Sequence, residues 1–315
     1  MRSYILAITL FAFLALTGCA IDNGQSISSE TNNIVDKRSA EKEDTLKSTN
    51  ENAGETAIKA TAKPTPKAQE NGTPATSTPK ASTEPVKGKS DNVLSWWLSL
   101  NSRHETPAIP AEAAKLVKKY DGIYLGNTKD KTVYLTFDEG YENGYTSKIL
   151  DTLKGNNVKA IFFITGPYLK QNEALVKRMV DEGHLVGNHT INHKSMPTLS
   201  DQSIRDELTG VSNDFNRLFN KDMHFFRPPN GEYSDRVLKE ARELGYRTVF
   251  WSFAYRDFDV NNQKGADYAH NMVMKNLHNG GVFLLHAVSK DNSEALDRII
   301  KDIRAQGYTI SPFDF

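Results

Sequence analysis

Residues Tyr134–Thr146 read YLTFDEGYENGYT, and the fold turns on how this stretch is read. The run Val133–Phe137 is rich in β-branched and aromatic residues, which predicts a buried strand. It ends on two adjacent carboxylates, Asp138 and Glu139, and Gly140 and Gly144 then punctuate a polar turn. Carboxylates at the end of a core strand are costly to bury. In barrels and open α/β sheets that is the position where chemistry is done. Taken alone, Asp-Glu-Gly is equally a solvated pair opening a turn, so the rest of the chain has to decide.

Working outward, strand-like and helix-like segments alternate on both sides. Helical periodicity covers 111–120, 147–155, 173–182, 200–219, 234–244, 266–278 and 294–306. Short apolar runs cover 132–137, 159–165, 185–188, 224–226, 248–252, 281–286 and 308–310. Ser200 and Ser234 are placed to cap helices, and Gly183 and Gly245 to end them. Alternation of this kind predicts parallel strands with helices outside. About seven β/α units within residues 92–315 fit one barrel-like α/β domain.

Before that domain the chain changes character twice. Arg2 and the apolar stretch Ile5–Leu16 form a targeting segment too short for a comfortable membrane span. It runs into Leu16-Thr17-Gly18-Cys19, which resembles a bacterial lipobox. Cys19 is the only cysteine, so no intramolecular disulfide is available to it. Residues 1–19 are therefore expected to be a lipoprotein leader, and a lipidated Cys19 a membrane anchor on the extracytoplasmic face. Residues 20–91 lack Phe, Trp and Tyr and carry Pro64, Pro66, Pro74, Pro79 and Pro85. Such a stretch cannot bury enough apolar surface to offset its ordering entropy, and is expected to be a disordered tether. The formal net charge is zero and no Lys/Arg cluster marks a nucleic-acid face.

Residues able to do chemistry recur at strand ends. His189 and His193 lie four apart in HTINH, a spacing that suits one metal ion on a helical turn but equally two surface imidazoles. Arg227 opens RPPNG, whose prolines fix the backbone and whose Gly231 permits a tight turn. Asp257 lies in RDF, and His286 ends the apolar run GVFLLH, either facing a cleft or held as a core histidine.

In this order and spacing, TFDEG, HTINH, RPPNG, RDF and LLH resemble the five motifs of the polysaccharide deacetylases, the NodB-homology or family 4 carbohydrate esterases. The resemblance covers roughly residues 132–315. YLTFDEGYENGYT, KKYDGIYLGNTKDK and WSFAYRDF are similar to the branch that makes muramic δ-lactam in spore cortex. The resemblance implies a distorted (β/α) barrel and hydrolysis of an N-acetyl group on peptidoglycan, on N-acetylmuramic acid or alternatively N-acetylglucosamine, by a monomer. It implies Asp138 as general base with Arg227 as its partner, and His286 as general acid with Asp257 as its partner. It implies a divalent metal (zinc, cobalt or manganese) held by His189, His193 and Glu139. Glu139 stands where metal-dependent members carry aspartate, and Phe258 where the motif usually has tryptophan. The extra methylene of Glu139 is expected to weaken the metal site.

Overall fold

The structure is a computed structural model and describes residues 92–313. The leader, Cys19 and the 20–91 tether lie outside the described residues.

In chain order the elements are β1 (Leu94–Ser95), α1 (Ala111–Lys119), β2 (Thr132–Glu139), α2 (Thr146–Gly155), β3 (Ile161–Ile164), α3 (Gly166–Gln171), α4 (Glu173–Asp181), β4 (Leu185–Asn188), α5 (Asp201–Phe219), β5 (Phe225–Phe226), β6 (Glu232–Tyr233), α6 (Asp235–Glu243), β7 (Arg247–Thr248), α7 (Ala266–Lys275), β8 (Gly281–His286), α8 (Lys290–Ala305) and β9 (Thr309–Ile310). The main sheet runs β7-β5-β4-β3-β2-β8, every pairing parallel, and β9 joins the first residues of β2. Just past β7 the chain returns to the far end of this order. Phe253 bridges Phe283 of β8, and the Leu284 N–H donates to the Phe253 carbonyl at 2.9 Å. The sheet is thereby curled into the distorted (β/α) barrel that the alternation predicts.

The two-residue period of a strand sorts the side chains into two layers. On β2, Val133, Leu135 and Phe137 pack against the helices, with Ile149, Leu150 and Leu153 of α2 among their neighbours. Tyr134 points the other way and packs inside the barrel with Ile161, Phe163, Val249 and Val282. All of these are essentially excluded from water. Removing one fully buried ring, as in Phe137→Ala, costs about 3–5 kcal/mol. The packing therefore fixes register firmly, because a slip of one residue would exchange the two layers.

Serines cap the helices as the sequence suggests: the Ser200 and Ser234 hydroxyls accept from the Ser203 and Val237 N–H groups. Two elements differ from expectation. α3 falls in the gap between the segments expected at 159–165 and 173–182: Pro167 sits in its first turn and Thr165 caps it by accepting from the Tyr168 N–H. α8 starts at Lys290, four residues earlier than its apolar periodicity suggests, because Ser289 caps it there. Finally, the segment after β1 seals one side: Trp96 stacks on Phe250 with centroids 4.3 Å apart. Gly231 is required at this contact. Its φ is +67°, and a Cβ there would come within 2.7 Å of the Trp251 ring.

Candidate active site

The strand ends converge on one cleft, and the same two-layer rule decides which side chains enter it. Counting on from the interior residues Tyr134, Phe163, Phe225 and Val282, the next inward positions are Asp138 on β2, Arg227 after β5 and His286 on β8. His189, one residue past β4, also falls inward. The outward positions at the same level are Glu139, Ile164, Asn188 and Phe226, which share register rows. The cleft is about 670 Å³ and is lined by Asp138, His189, His193, Trp251, Phe258 and His286 among others.

Arg227 is fully buried. Its Nη1 donates to Asp138 Oδ1 at 2.7 Å, its Nε to the Val249 carbonyl at 3.1 Å and its Nη2 to the Phe250 carbonyl at 3.3 Å. Its guanidinium carbon lies 4.1 Å from the Phe163 ring centroid. Burial alone would raise the pKa of Asp138, but the Arg227 charge, with His189 and His286, outweighs it and holds the carboxyl below its ordinary pKa. Asp138 is therefore an ionised, oriented carboxylate.

His189 Nδ1 lies 2.8 Å from the Arg227 carbonyl, which can only accept, so Nδ1 carries the hydrogen. Burial pushes this imidazole down to about 4, so it is neutral at ordinary pH. Its Nε2 lone pair then faces the cleft, 3.6 Å from Asp138 Oδ2. His193 is exposed at the rim, its ring centroid 4.8 Å from that of His189.

Beside Asp138 on the neighbouring strand, His286 Nδ1 lies 2.7 Å from Asp257 Oδ1, and the His286 main-chain N–H donates to Asp257 Oδ2 at 2.7 Å. Burial pushes the imidazole towards its neutral form. The facing Asp257 carboxylate, assisted by Asp138, outweighs it and raises the pKa above the ordinary histidine value. Sequence reading missed the residue that holds Asp257. Asn292 of α8 donates from Nδ2 to Asp257 Oδ2 at 2.6 Å, and its own Oδ1 accepts from the Tyr255 hydroxyl at 2.5 Å. An asparagine in a polar helix start carries no signal of this in sequence.

Glu139 does not join His189 and His193. It lies on the helix side of β2, fully buried, and its carboxylate oxygens accept from the Thr146 hydroxyl at 3.3 and 3.4 Å. Burial, with the Glu142 charge adding to it, raises its pKa well above the ordinary carboxylate value, which favours a neutral carboxylic acid. Deacetylases of this family are generally metalloenzymes. Among the described residues, however, no group of three His, Cys, Asp or Glu side chains is arranged to hold a metal ion. The three-ligand set read from sequence is therefore not assembled. The strand's period accounts for this: neighbouring residues face opposite layers, so Glu139 turns to the helix side while Asp138 enters the cleft.

Residues 125–249 match the sequence model of polysaccharide deacetylases. Over 222 residues the chain is 47% identical to the peptidoglycan-N-acetylmuramic acid deacetylase PdaA of Bacillus subtilis, covering 70% of this chain and 84% of that one. The chain belongs to the polysaccharide deacetylase family. The solved structure of B. subtilis PdaA, a family 4 carbohydrate esterase, superposes on this polysaccharide deacetylase with a TM-score of 0.69, covering 70% of this chain and 95% of that one. A family 4 carbohydrate esterase from Bacillus anthracis, 41% identical, gives 0.59 over 69% of this chain and 97% of that one. A peptidoglycan-N-acetylglucosamine deacetylase of Bacillus cereus is 36% identical over 182 residues, 57% of this chain and 84% of its own length.

Proposed function

We propose that this deacetylase hydrolyses the N-acetyl group of N-acetylmuramic acid in peptidoglycan, with Asp138 as general base and His286 as general acid. The observation that carries the reading is the pairing of these two groups side by side in one cleft. Asp138 and His286 are register partners on adjacent strands, one held ionised by Arg227 and the other held protonated by Asp257. Amide hydrolysis needs both states at once. Asp138 takes a proton from water as its oxygen bonds to the acetyl carbon. The C–N bond then breaks while His286, whose Nδ1 is committed to Asp257, gives a proton to the leaving nitrogen. Acetate and the free amine result. The fully buried Arg227 guanidinium acts through Asp138, keeping that carboxylate ionised and aimed.

The sugar is assigned by likeness to B. subtilis PdaA, named for N-acetylmuramic acid. On that sugar, deacetylation frees an amine beside the lactyl carboxyl, the pair that an intramolecular δ-lactam requires. The reaction belongs outside the cytoplasmic membrane, where peptidoglycan lies, and a lipidated Cys19 with the 20–91 tether is the proposed means of holding the enzyme there. No helix among the described residues is long and apolar enough to cross a membrane.

The test is acetate release from defined glycan strands, with and without stem peptides, and mass analysis of the sugars. Loss of acetyl from muramic acid supports the assignment. Loss from glucosamine alone transfers the activity to the substrate in the name of the B. cereus relative. Release of reducing ends without acetate rejects the reaction class.

A further inference from the structure

The turn carrying His189 and His193 is held in a conformation it would not adopt unaided. Thr190 has φ +67° and His193 φ +52°. Neither is glycine, and a β-branched residue with positive φ is an outlier that persists only where the surroundings over-determine it.

Every main-chain N–H of the turn has a fixed acceptor. Thr190 donates to Asn188 Oδ1 at 2.8 Å, and His193 to the Thr190 hydroxyl at 3.0 Å. The two between them both go to one residue of α5. The Ile191 N–H donates to the Glu207 carbonyl at 3.2 Å and the Asn192 N–H to Glu207 Oε2 at 2.7 Å. Asn192 Nδ2 adds a third bond, to Glu207 Oε1 at 2.8 Å. Glu207 is only 5% exposed. One further cation reaches it, Lys194 Nζ at 3.3 Å from Oε1. The same helix turn also seats the Ile191 side chain: a Cβ at Gly210 would fall 2.2 Å from Ile191 Cδ1.

A buried carboxylate is expensive unless its bonds are made, and here they are made to the strained turn. We propose that Glu207 is a positioning residue for the deacetylation: its carboxylate clamps residues 191–192 and so aims His189 and His193 into the cleft facing Asp138. This rests on the reading of the cleft given above. Glu207 touches no reacting atom and acts through the turn.

The test uses the full-length protein and a reversed hydrogen bond. Glu207→Gln keeps the shape but offers one acceptor where the turn uses two, so the Asn192 amide must turn over to meet it and the carboxylate charge that holds the turn is lost. Its kcat for acetate release is expected to fall about tenfold or more, the scale of a small misplacement in a site, with KM within about twofold. Combining it with Asn192→Asp reverses the donor and acceptor. The glutamine then donates to the new carboxylate and accepts from the same main-chain N–H, and kcat is expected to return to within about threefold of the parent. NMR shifts of the His189 and His193 rings in the free protein should move in the single variant and return in the double one. Unchanged kcat and ring shifts in Glu207→Gln overturn the clamp. So does a loss that follows the melting temperature and is not recovered in the double variant. Parent protein without acetate release, but with ring shifts that move and return, keeps the clamp and rejects the reaction assigned to the cleft.

Discussion

Asp138 and His286 stand opposite each other as register partners on β2 and β8, each carrying its own counter-charge, Arg227 for the first and Asp257 for the second. The two titratable groups are thus driven apart in pKa by separate partners: the carboxylate downward and the imidazole upward. The two groups also act on each other, so each variant is read on both limbs of the pH profile.

Asp138→Asn removes the base and also the only carboxylate among the described residues bonded to a fully buried Arg227. Acetate release is expected to fall by at least about two orders of magnitude, the scale for losing a general base. The variant should also lose about 3 kcal/mol of stability, the low end for breaking a buried pair, since the amide oxygen still accepts one hydrogen bond. Chemical denaturation measures the second effect. Activity near that of the parent would remove Asp138 from the mechanism.

Asp257→Asn tests the other pair. The Asp257 charge favours the imidazolium of His286, so its loss lowers that pKa. An acid must be protonated to act, so the basic limb of the kcat/KM profile should move to lower pH. The stability contribution has a matching sign. A raised native pKa means the pair stabilises the fold fully below the ordinary histidine pKa and loses that contribution as pH rises through the native one. The parent should therefore lose an advantage over Asp257→Asn as pH climbs through that window. A basic limb that stays in place in the variant would show that Asp257 does not set the protonation of His286.

The legibility of the chain follows from range. The strand at Val133–Phe137, the caps at Ser200 and Ser234 and the glycine stops are local patterns, and they read correctly in sequence. The inward direction of Asp138 was also legible, since it shares the parity of Tyr134 and Thr136, and the same count sends Glu139 outward with Phe137. The family likeness implies Glu139 as a metal ligand, whereas that count places it on the helix side. What no local pattern contains is a partner. Asn292 and Tyr255 matter because α8 and the loop after β7 meet at Asp257, 35 residues from Asn292 in the chain.

Glu139 gives a third prediction. Burial, with Glu142 nearby, favours its neutral form in the folded protein, whereas unfolded glutamate ionises at about pH 4.3. The native state then holds more protons than the unfolded one above that pH, so the group's contribution is present in acid and is lost as pH rises. Glu139→Gln mimics the neutral acid. It should match the parent's stability near pH 4, exceed it at neutral pH, and leave acetate release and metal content by elemental analysis within about twofold. A large loss of bound metal or of activity in Glu139→Gln would return this residue to the site.

The last prediction concerns the anchor. Cys19 follows Leu16-Thr17-Gly18 directly after an apolar stretch, and residues 20–91 carry no aromatic side chain with which to join a core. The anchoring and the chemistry should therefore separate cleanly. Cys19→Ser is expected to move the protein from the membrane fraction to the soluble extracytoplasmic fraction without changing kcat on soluble glycan strands. A protein beginning near Asp91 should do the same, because residues 20–90 are too poor in large apolar side chains to be expected to join a core. One acyl chain alone gives marginal membrane affinity, so the diacylated form is the one expected to sediment stably. If Cys19→Ser still sediments with membranes, the lipid anchor is wrong, and the apolar stretch Ile5–Leu16 retained as an uncleaved segment becomes the explanation to test.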